Sequence, residues 1–248
     1  MPASIVTCKI EELVWLTPTV MGIRFSPDRK FDFQAGQFIS VVHPQKDTKG
    51  KPIRRAYSLA TPSPKLGYEL CVKKVDDGKV SSYLATLKPG DTFRAIAPYG
   101  DFHYATPPER RACFISTGSG IAPFRAMVRS PEFLDHPPRS ALCIFGARSV
   151  TEILYPGYFE SLGVKTVHAI SRPTPNFKGF TGRVTDYLRS LEGEFDWAGT
   201  DFYLCGNGEM VNEVRNFLIS ARQVSPAAIR QEIYFTPRDH LQSEKKAA

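Results

Sequence analysis

The stretch Cys113–Arg125, CFISTGSGIAPFR, decides how the rest of this chain is interpreted. Apolar residues lead into the hydroxyl and glycine cluster Thr117–Gly120, and Ile121-Ala122-Pro123 follows as the first turn of a helix. The pattern predicts a β-strand that feeds a phosphate loop, where glycines admit an anion and helix N–H groups favour negative charge. Ala122 replaces a third glycine, which dinucleotide sites tolerate. An ordinary tight turn between a strand and a helix explains this stretch equally well when it is taken alone.

Length, composition and net charge limit which kinds of protein this chain can be. The chain has 248 residues, of which 42% are hydrophobic, and this predicts two domains with ordinary cores. Lys and Arg exceed Asp and Glu by 32 to 25, so the formal charge of +7 suits an anionic cofactor, an acidic protein partner or nucleic acid. The basic residues are dispersed and do not alternate with aromatic residues, which argues against nucleic-acid binding.

The cysteines and the N-terminus point to a reducing compartment. Five cysteines are spread along the chain without CxxC spacing, so neither a zinc site nor a local iron-sulfur cluster is supported, and we expect no metal. Residues 1–13 lack the basic segment followed by an apolar segment that marks a secretory signal peptide. No apolar run approaches the 18 residues of a membrane-spanning helix. We expect a soluble, cytoplasmic monomer that does not engage a membrane.

Residues 4 to about 104 show short apolar runs separated by turn signals, which favour antiparallel β-structure. The predicted strands are Ile5–Trp15, Val20–Phe25, Phe38–His43, Ala56–Ala60, Tyr68–Val75 and Thr92–Ala97. In the strand that begins at Tyr68, alternation puts Cys71 on the wetter face. A short helix is predicted from Ser81 to Leu87, where Pro89-Gly90 stops it. Six strands and one short helix indicate a small β-barrel.

After Pro107-Pro108 the pattern changes to alternating strands and helices. Strands are predicted at Cys113–Ser116, Ala141–Phe145, Lys165–Ile170, Asp201–Cys205 and Ile229–Phe235. Helices are predicted from the glycine loop to about Arg129, near Tyr158–Leu162, and at Val184–Leu191 and Glu209–Ala221. This alternation is typical of an α/β doubly wound parallel sheet. The predicted fold is therefore an antiparallel β-barrel domain over residues 1–106 followed by an α/β domain over residues 107–248.

One strand of the barrel carries a cation, an aromatic ring and a hydroxyl in Arg55-Ala56-Tyr57-Ser58. Alternation puts Arg55 and Tyr57 on one face, where a guanidinium could bind a diphosphate and a phenol ring could lie against a planar ring. A surface arginine and a core tyrosine would explain this tetrapeptide alone. Gly78 and Ser81 lie at the start of the short helix, where a phosphate would meet free N–H groups, although Ser81 could be a plain N-cap.

Together, these segments resemble the ferredoxin-NADP reductase family, over about Ala35 to Phe235. Seven matches occur in the family's order: Arg55-Ala56-Tyr57-Ser58, Leu70–Lys74, Gly78-Lys79-Val80-Ser81, Ala97–Phe102, Thr117–Arg125, Cys205-Gly206-Asn207-Gly208-Glu209-Met210 and Glu232-Ile233-Tyr234. Unlike plant and bacterial members, which end near the terminal aromatic pair, the chain continues for 13 residues past Phe235. It also lacks the cysteine cluster of a fused iron-sulfur domain, so the resemblance implies a separate electron acceptor.

The resemblance also implies site residues and an activity. FAD would be bound by Arg55, Tyr57, Ser58, Cys71, Val72, Lys73, Gly78, Val80 and Ser81, with Tyr234 or Phe235 covering the flavin. NADP would be bound by Thr117, Gly118, Cys205, Gly206 and Met210. Ser58 and Cys205 would flank the reacting atoms, and Glu232 would donate or orient a proton. The implied activity is hydride transfer between NADPH and FAD, with single electrons passing to a separate acidic ferredoxin or flavodoxin.

Coenzyme choice rests on cations near the ends of the second and third strands of the α/β domain. Arg148, Arg172 with Ser171, and Arg183 lie where a 2′-phosphate would be read, as in bacterial NADP-dependent relatives, and no acidic residue directly follows Ala147 to favour NAD. Arg183 could instead be a solvated residue at the start of a helix, and Arg172 a loop residue. Two further functions stay open: an NADH-using reductase component of an oxygenase or cytochrome system, and a non-catalytic FAD-binding sensor or subunit.

Overall fold

The computed structural model describes residues 3–191, 193 and 195–234. These residues divide into two compact units. The first unit holds the described residues up to Ala105 together with Ala122–Asp135, and the second holds Thr106–Ile121 together with the described residues from His136 onward. The predicted boundary between residues 106 and 107 stays a prediction. Among the described residues, no helix is long and apolar enough to cross a membrane.

The first unit is built on a six-stranded antiparallel sheet. Its strands are β1 (Ser4–Thr17), β2 (Val20–Pro27), β3 (Phe38–Lys46), β4 (Pro52–Ser58), β5 (Tyr68–Lys73) and β6 (Thr92–Tyr99), and its helices are α1 (Lys79–Thr86), α2 (Ala122–Met127) and α3 (Pro131–Asp135). The strand order is β4-β3-β6-β1-β2-β5. Alternating apolar residues of these strands, such as Ile23, Ile39 and Phe93, are buried in one core.

The two edge strands of this sheet meet at one end. Leu59, directly after β4, forms an isolated bridge with Leu70 in β5. The N–H of Ala60 donates to the carbonyl of Glu69 at 2.8 Å. The edges are therefore joined at what we term the β4–β5 seam, which consists of residues 59–60 and 69–70. This junction confirms the antiparallel barrel that the turn spacing predicts.

The second unit is built on a six-stranded parallel sheet. Its strands are β7 (Arg111–Thr117), β8 (Ser140–Ala147), β9 (Lys165–Ile170), β10 (Phe180–Thr181), β11 (Thr200–Asn207) and β12 (Ile229–Tyr234), with helices α4 (Val184–Ser190) and α5 (Gly208–Arg222). The strand order is β10-β9-β8-β7-β11-β12. Successive strands are added on one side of β7 as far as β10, and β11 and β12 are then added on its other side, so the order of the strands reverses between β7 and β11. Apolar residues of the central strands and of α4 and α5, such as Ile115, Leu188 and Leu204, form its core. In such sheets, ligands bind beyond the carboxyl ends of the strands at the point of reversal.

Several predicted elements differ in detail from those observed. The helix after β7 is divided into a 3₁₀ turn, Gly118–Ile121, and the short α2. The helix predicted near residues 158–162 is a single 3₁₀ turn, Glu160–Leu162. The strand predicted at residues 56–60 is β4, which begins earlier because its pairing with β3 extends to Lys46 and Pro52. The predictions for Phe235 and for residues 236–248 lie outside the described residues.

Candidate functional site

The carboxyl end of β4 carries three of the residues that are predicted to bind FAD, namely Arg55, Tyr57 and Ser58. Arg55 and Tyr57 lie on the same face of β4, where Arg55 is exposed and Tyr57 is half-buried against the barrel core. Ser58 is buried. Burial raises the pKa of the Tyr57 phenol, and the nearby Arg55 charge lowers it by less. Tyr57 is therefore a neutral phenol, with Arg55 close enough to act on it electrostatically.

The strand β5 lies at the opposite edge of the same sheet and pairs with β2 on one side. Because an edge strand has a neighbour on only one side, part of its peptide groups face outward as donors and acceptors. Lys73 is exposed and Val72 is buried in the core. Cys71 is also buried, at 3% exposure, so its predicted place on a wetter face is wrong. The outward peptide groups of β5 suit the polar edge of a planar ring.

The start of α1 differs from the sequence prediction. The helix begins at Lys79 with Gly78 as its N-cap, so Ser81 is neither the first residue of the helix nor its cap. The Ser81 hydroxyl instead closes the preceding turn, since it donates to the Gly78 carbonyl and accepts the Val75 N–H, both at 3.1 Å. Val80 is buried in the barrel core. The N–H groups of the first turn have no acceptor within the helix, which is the arrangement that binds phosphate oxygens.

The second unit places its glycine loop at the reversal between β7 and β11. A Cβ on Gly120 would overlap the backbone carbonyl of Cys205, and a Cβ on Gly206 would lie 2.7 Å from the Thr117 hydroxyl. Gly206 also has a φ of 135°. The loop after β7 and the end of β11 therefore pack backbone against backbone, which only glycine allows. Gly118, with a φ of 54°, has open space around its Cβ position.

The end of β11 leads directly into α5. The Asn207 side chain caps α5 by accepting the N–H groups of Glu209 and Met210 at 2.9 and 3.3 Å. Met210 lies in the first turn of α5 and packs against the apolar core. The Asn207 N–H donates to the Thr117 hydroxyl at 3.4 Å, which is a further link between the two loops. These contacts fix the position of the first turn of α5 at the carboxyl edge of the sheet.

Strand pairing brings Cys205, Glu232 and Tyr234 together. Cys205 on β11 is the register partner of Glu232 on β12, and Tyr234 ends the same strand. Complete burial raises the pKa of the Cys205 thiol well above its usual value. The charge of Glu232 raises it further, and a hydrogen bond with Tyr234 partly offsets both effects. Cys205 is therefore a protonated thiol beside a carboxylate and a phenol.

The predicted coenzyme-selecting cations come together at the ends of β8, β9 and β10. The Arg172 N–H donates to the Arg148 carbonyl at 2.8 Å, and the Gly182 N–H donates to the Ile170 carbonyl at 3.0 Å, one residue before Arg183. Arg148, Ser171, Arg172 and Arg183 are exposed. Within the part of the chain that the structure describes, none of these three guanidinium groups pairs with a carboxylate. We refer to these three exposed arginines at one sheet edge as the cationic cluster, and exposed guanidinium groups there are available to a phosphate.

Sequence reasoning missed two acidic residues beside this cluster. Glu152 turns back so that its carboxylate accepts the Arg148 N–H at 3.0 Å. Asp186 accepts the Arg183 N–H at 2.8 Å and caps the start of α4. The spacing of Arg183 and Asp186 signals such a cap, because the N3 acid of a capping box reaches the N-cap N–H. The return of Glu152 has no comparable signal, since a 3₁₀ turn at Val150–Glu152 causes it.

The residues of both units fit the anionic groups of their expected cofactors. In the first unit, Arg55 has no carboxylate partner among the described residues, so its charge is available to a diphosphate near the free N–H groups of α1. In the second unit, Gly120 and Gly206 let the loop after β7 pack against the end of β11, and the exposed Arg148, Arg172 and Arg183 have no carboxylate partner among the described residues. Each unit therefore offers the donors that a phosphate-containing cofactor needs.

Comparison with known proteins agrees with this description. An oxidoreductase FAD-binding domain matches residues 8–104, and an oxidoreductase NAD-binding domain matches residues 114–216. Ferredoxin--NADP reductase B of Sorangium cellulosum is 31% identical over 212 residues, which are 81% of this chain and 85% of that protein. Phenol hydroxylase P5 protein of Acinetobacter pittii is 30% identical over 251 residues, with coverage of 96% and 67%.

A solved structure supports the fold. The ferredoxin NADP+ reductase from Neisseria gonorrhoeae, with bound FAD and NADP, has a TM-score of 0.76 and 24% sequence identity. The alignment covers 93% of this chain and 99% of that structure. At this identity the likeness concerns the fold, and it extends over both units.

Proposed function

The chain belongs to the ferredoxin-NADP reductase family, and we propose that it transfers hydride between NADPH and FAD and single electrons between FAD and a separate ferredoxin or flavodoxin. Its place in the family makes it a flavoprotein oxidoreductase with an FAD-binding and an NAD(P)-binding domain. We also propose that it uses NADPH as its coenzyme and an acidic carrier as its partner, and that it acts in the cytoplasm as a monomer.

One observation carries the choice of NADPH. Arg148, Arg172 and Arg183 follow the carboxyl ends of β8, β9 and β10, their side chains are exposed, and none has a carboxylate partner among the described residues. The 2′-phosphate is the only chemical difference between NADP and NAD, so unpaired cations at this edge favour the phosphorylated coenzyme. Guanidinium groups match phosphate oxygens through paired N–H donors.

The remaining residues prepare each unit for its cofactor. Arg55 and the first turn of α1 bind the diphosphate of FAD, and Tyr57 presents a neutral ring to the flavin. Ser58 supplies a hydroxyl at the end of β4. Cys205 presents an S–H group rather than a thiolate, because burial and the charge of Glu232 keep its proton in place. When bound, FAD supplies the conversion of two-electron hydride chemistry into single electrons.

A second candidate is an NADH-dependent reductase component of an oxygenase or cytochrome system. The carboxylate of Glu152 lies at the end of β8, where it accepts the Arg148 N–H. An acid at the end of the second strand of such a domain typically binds the ribose hydroxyls of NAD. The similarity to phenol hydroxylase P5 protein, over 96% of this chain, also favours this alternative.

Anaerobic titration of the purified, flavin-loaded protein with each coenzyme tests the proposal. We expect NADPH to bleach the flavin absorbance at much lower concentration than NADH, and we expect reduced protein to pass electrons to ferredoxin or flavodoxin. A preference for NADH would support the second candidate. Binding of FAD without reduction by either coenzyme would instead indicate a non-catalytic flavin-binding protein.

A further inference from the structure

Arg125 in α2 makes two strong contacts within the first unit. Its Nη1 donates to the Ala60 carbonyl at 2.7 Å and to Oε2 of Glu69 at 3.0 Å. The ion pair is mostly shielded from water, with side-chain exposures of 18% for Arg125 and 14% for Glu69. Hydrogen bonds between charged groups at such low exposure are shorter and stronger than those between neutral groups.

The two acceptors lie on opposite sides of the β4–β5 seam. Ala60 comes two residues after Ser58, the last residue of β4, and Glu69 comes two residues before Cys71 in β5. The direct links across the seam include the Leu59–Leu70 bridge and the hydrogen bond from the Ala60 N–H to the Glu69 carbonyl. Arg125 therefore holds both edges of the sheet at once, from a helix more than 50 residues further along the chain.

The candidate flavin residues extend from this seam in both directions. Arg55, Tyr57 and Ser58 precede it on β4, and the residues from Cys71 to Lys73 follow it on β5. Edge strands are joined to the sheet on one side only, so their separation beyond the seam depends on what holds the seam closed. Loss of Arg125 would leave the Glu69 carboxylate largely buried without its partner, and such a group is costly.

We propose that Arg125 is a positioning residue for the flavin, because it fixes the separation of the two edge strands that bind FAD. The residue lies inside the stretch matched by the NAD-binding domain, yet its contacts are with strands of the FAD-binding barrel. The role does not depend on coenzyme choice or on the electron acceptor, so it stands or falls separately from the proposed function.

The test compares FAD binding by four variants after removal of the flavin. Arg125→Ala removes both contacts, Arg125→Lys keeps the charge, and Glu69→Gln keeps an acceptor without the charge. Arg29→Ala is the control, since Arg29 is an exposed arginine of the same unit that donates to the Ile5 carbonyl at 3.4 Å, away from β4 and β5. Each apoprotein is titrated with FAD, the Kd is measured from quenching of flavin fluorescence, and the visible spectrum of the bound flavin is recorded.

We expect Arg125→Ala to raise the Kd for FAD at least about 10-fold and to change the visible spectrum of the bound flavin. Arg125→Lys should recover most of the affinity, Glu69→Gln should give an intermediate Kd, and Arg29→Ala should match the wild type. A wild-type Kd and spectrum in both Arg125→Ala and Glu69→Gln would overturn the proposal. An equal loss of affinity in Arg29→Ala would also overturn it, because the effect would then reflect general destabilisation. If Arg125→Ala does not fold, Glu69→Gln and Arg125→Lys decide the outcome.

Discussion

The two units build their candidate sites in different ways. In the first unit, three candidate side chains follow one another along a single edge strand, as Arg55, Tyr57 and Ser58 do on β4. In the second unit, they lie at the carboxyl ends of different strands, and backbone contacts between Gly120 and Cys205 hold two of those ends together. A site in an antiparallel unit can therefore be changed one side chain at a time, whereas a site at a parallel sheet edge depends on close backbone packing.

The largest effect is expected from Gly120→Ala, which tests the dependence of the second unit on backbone packing. The added methyl would overlap the Cys205 carbonyl, so the loop after β7 must shift. A displacement of about 1 Å can cost on the order of 100-fold in rate. We expect kcat/KM to fall at least about 100-fold for both coenzymes, measured by oxidation of NADPH and NADH with ferricyanide, while FAD content is unchanged.

The control for this prediction is Gly22→Ala on β2, where the added methyl would meet Leu16 at an ordinary distance of 3.4 Å. It should leave both FAD content and coenzyme oxidation close to wild type. If Gly120→Ala also loses its FAD, the two units do not respond separately and the contrast between them fails.

The next largest effect tests the first unit through one side chain. Arg55→Ala should weaken FAD binding roughly 10- to 100-fold, because a charge-assisted contact with a diphosphate is lost. Arg54→Ala is the matched control, since the neighbouring arginine is equally exposed but lies on the opposite face of β4. The measurement is the Kd for FAD of each apoprotein. Equal weakening by both substitutions would mean that net charge, rather than the position of Arg55, retains the flavin.

Arg172→Ala and Arg183→Ala probe a side-chain contribution within the second unit. Each should lower kcat/KM for NADPH roughly 10- to 100-fold and leave NADH nearly unchanged, because only NADPH carries the 2′-phosphate. Arg139→Ala is the control, since this exposed arginine of the second unit already pairs with Asp196 at 2.8 Å and precedes the amino end of β8. A double variant of Arg172 and Arg183 that loses both coenzymes equally would show that these residues do not read the phosphate.

Raising the ionic strength is expected to have a smaller effect. The net charge of +7 favours docking of an acidic carrier, and salt screens such attraction. Reduction of ferredoxin or flavodoxin should slow several-fold between low and moderate ionic strength, while reduction of ferricyanide changes less. Equal responses of both acceptors would indicate a generally basic surface without a docking role.

The smallest effect concerns pH, where both units should behave alike. Burial raises the pKa of Tyr57 in the first unit and of Cys205 in the second, so both groups keep their protons near neutral pH. We expect no ionisation of either group in a kcat profile from about pH 7 to 9. Because the unfolded Cys205 ionises near pH 9.0 and the folded one does not, the free energy of unfolding should fall above that pH. A rise of kcat with an apparent pKa below 9, lost in Cys205→Ser, would contradict the protonated thiol.

Local patterns were sufficient to predict most elements of both units. Alternating apolar residues predict β1 to β6, and the strand Lys165–Ile170 is observed with its predicted bounds. The glycine loop after β7 is also where the sequence predicts it. Local patterns failed where a distant partner decides the outcome. Cys71 is buried on the face of β5 opposite the core residues Leu70 and Val72, which alternation along the strand does not predict. Ser81 turns back to the Val75 N–H rather than capping α1.

The sequence by itself determined which chemical groups are available. It places an arginine and a tyrosine two residues apart on β4, glycines in the loops where backbone approaches backbone, and arginines at three strand ends. These properties follow from the side chain and its immediate neighbours. The tertiary structure alone decided which groups meet, including the order of the parallel strands, the packing of Gly120 on Cys205, the approach of Glu152 to Arg148 and the hold of Arg125 on the β4–β5 seam. Such contacts join residues far apart in the chain, so their positions depend on the packing of whole sheets rather than on any local pattern.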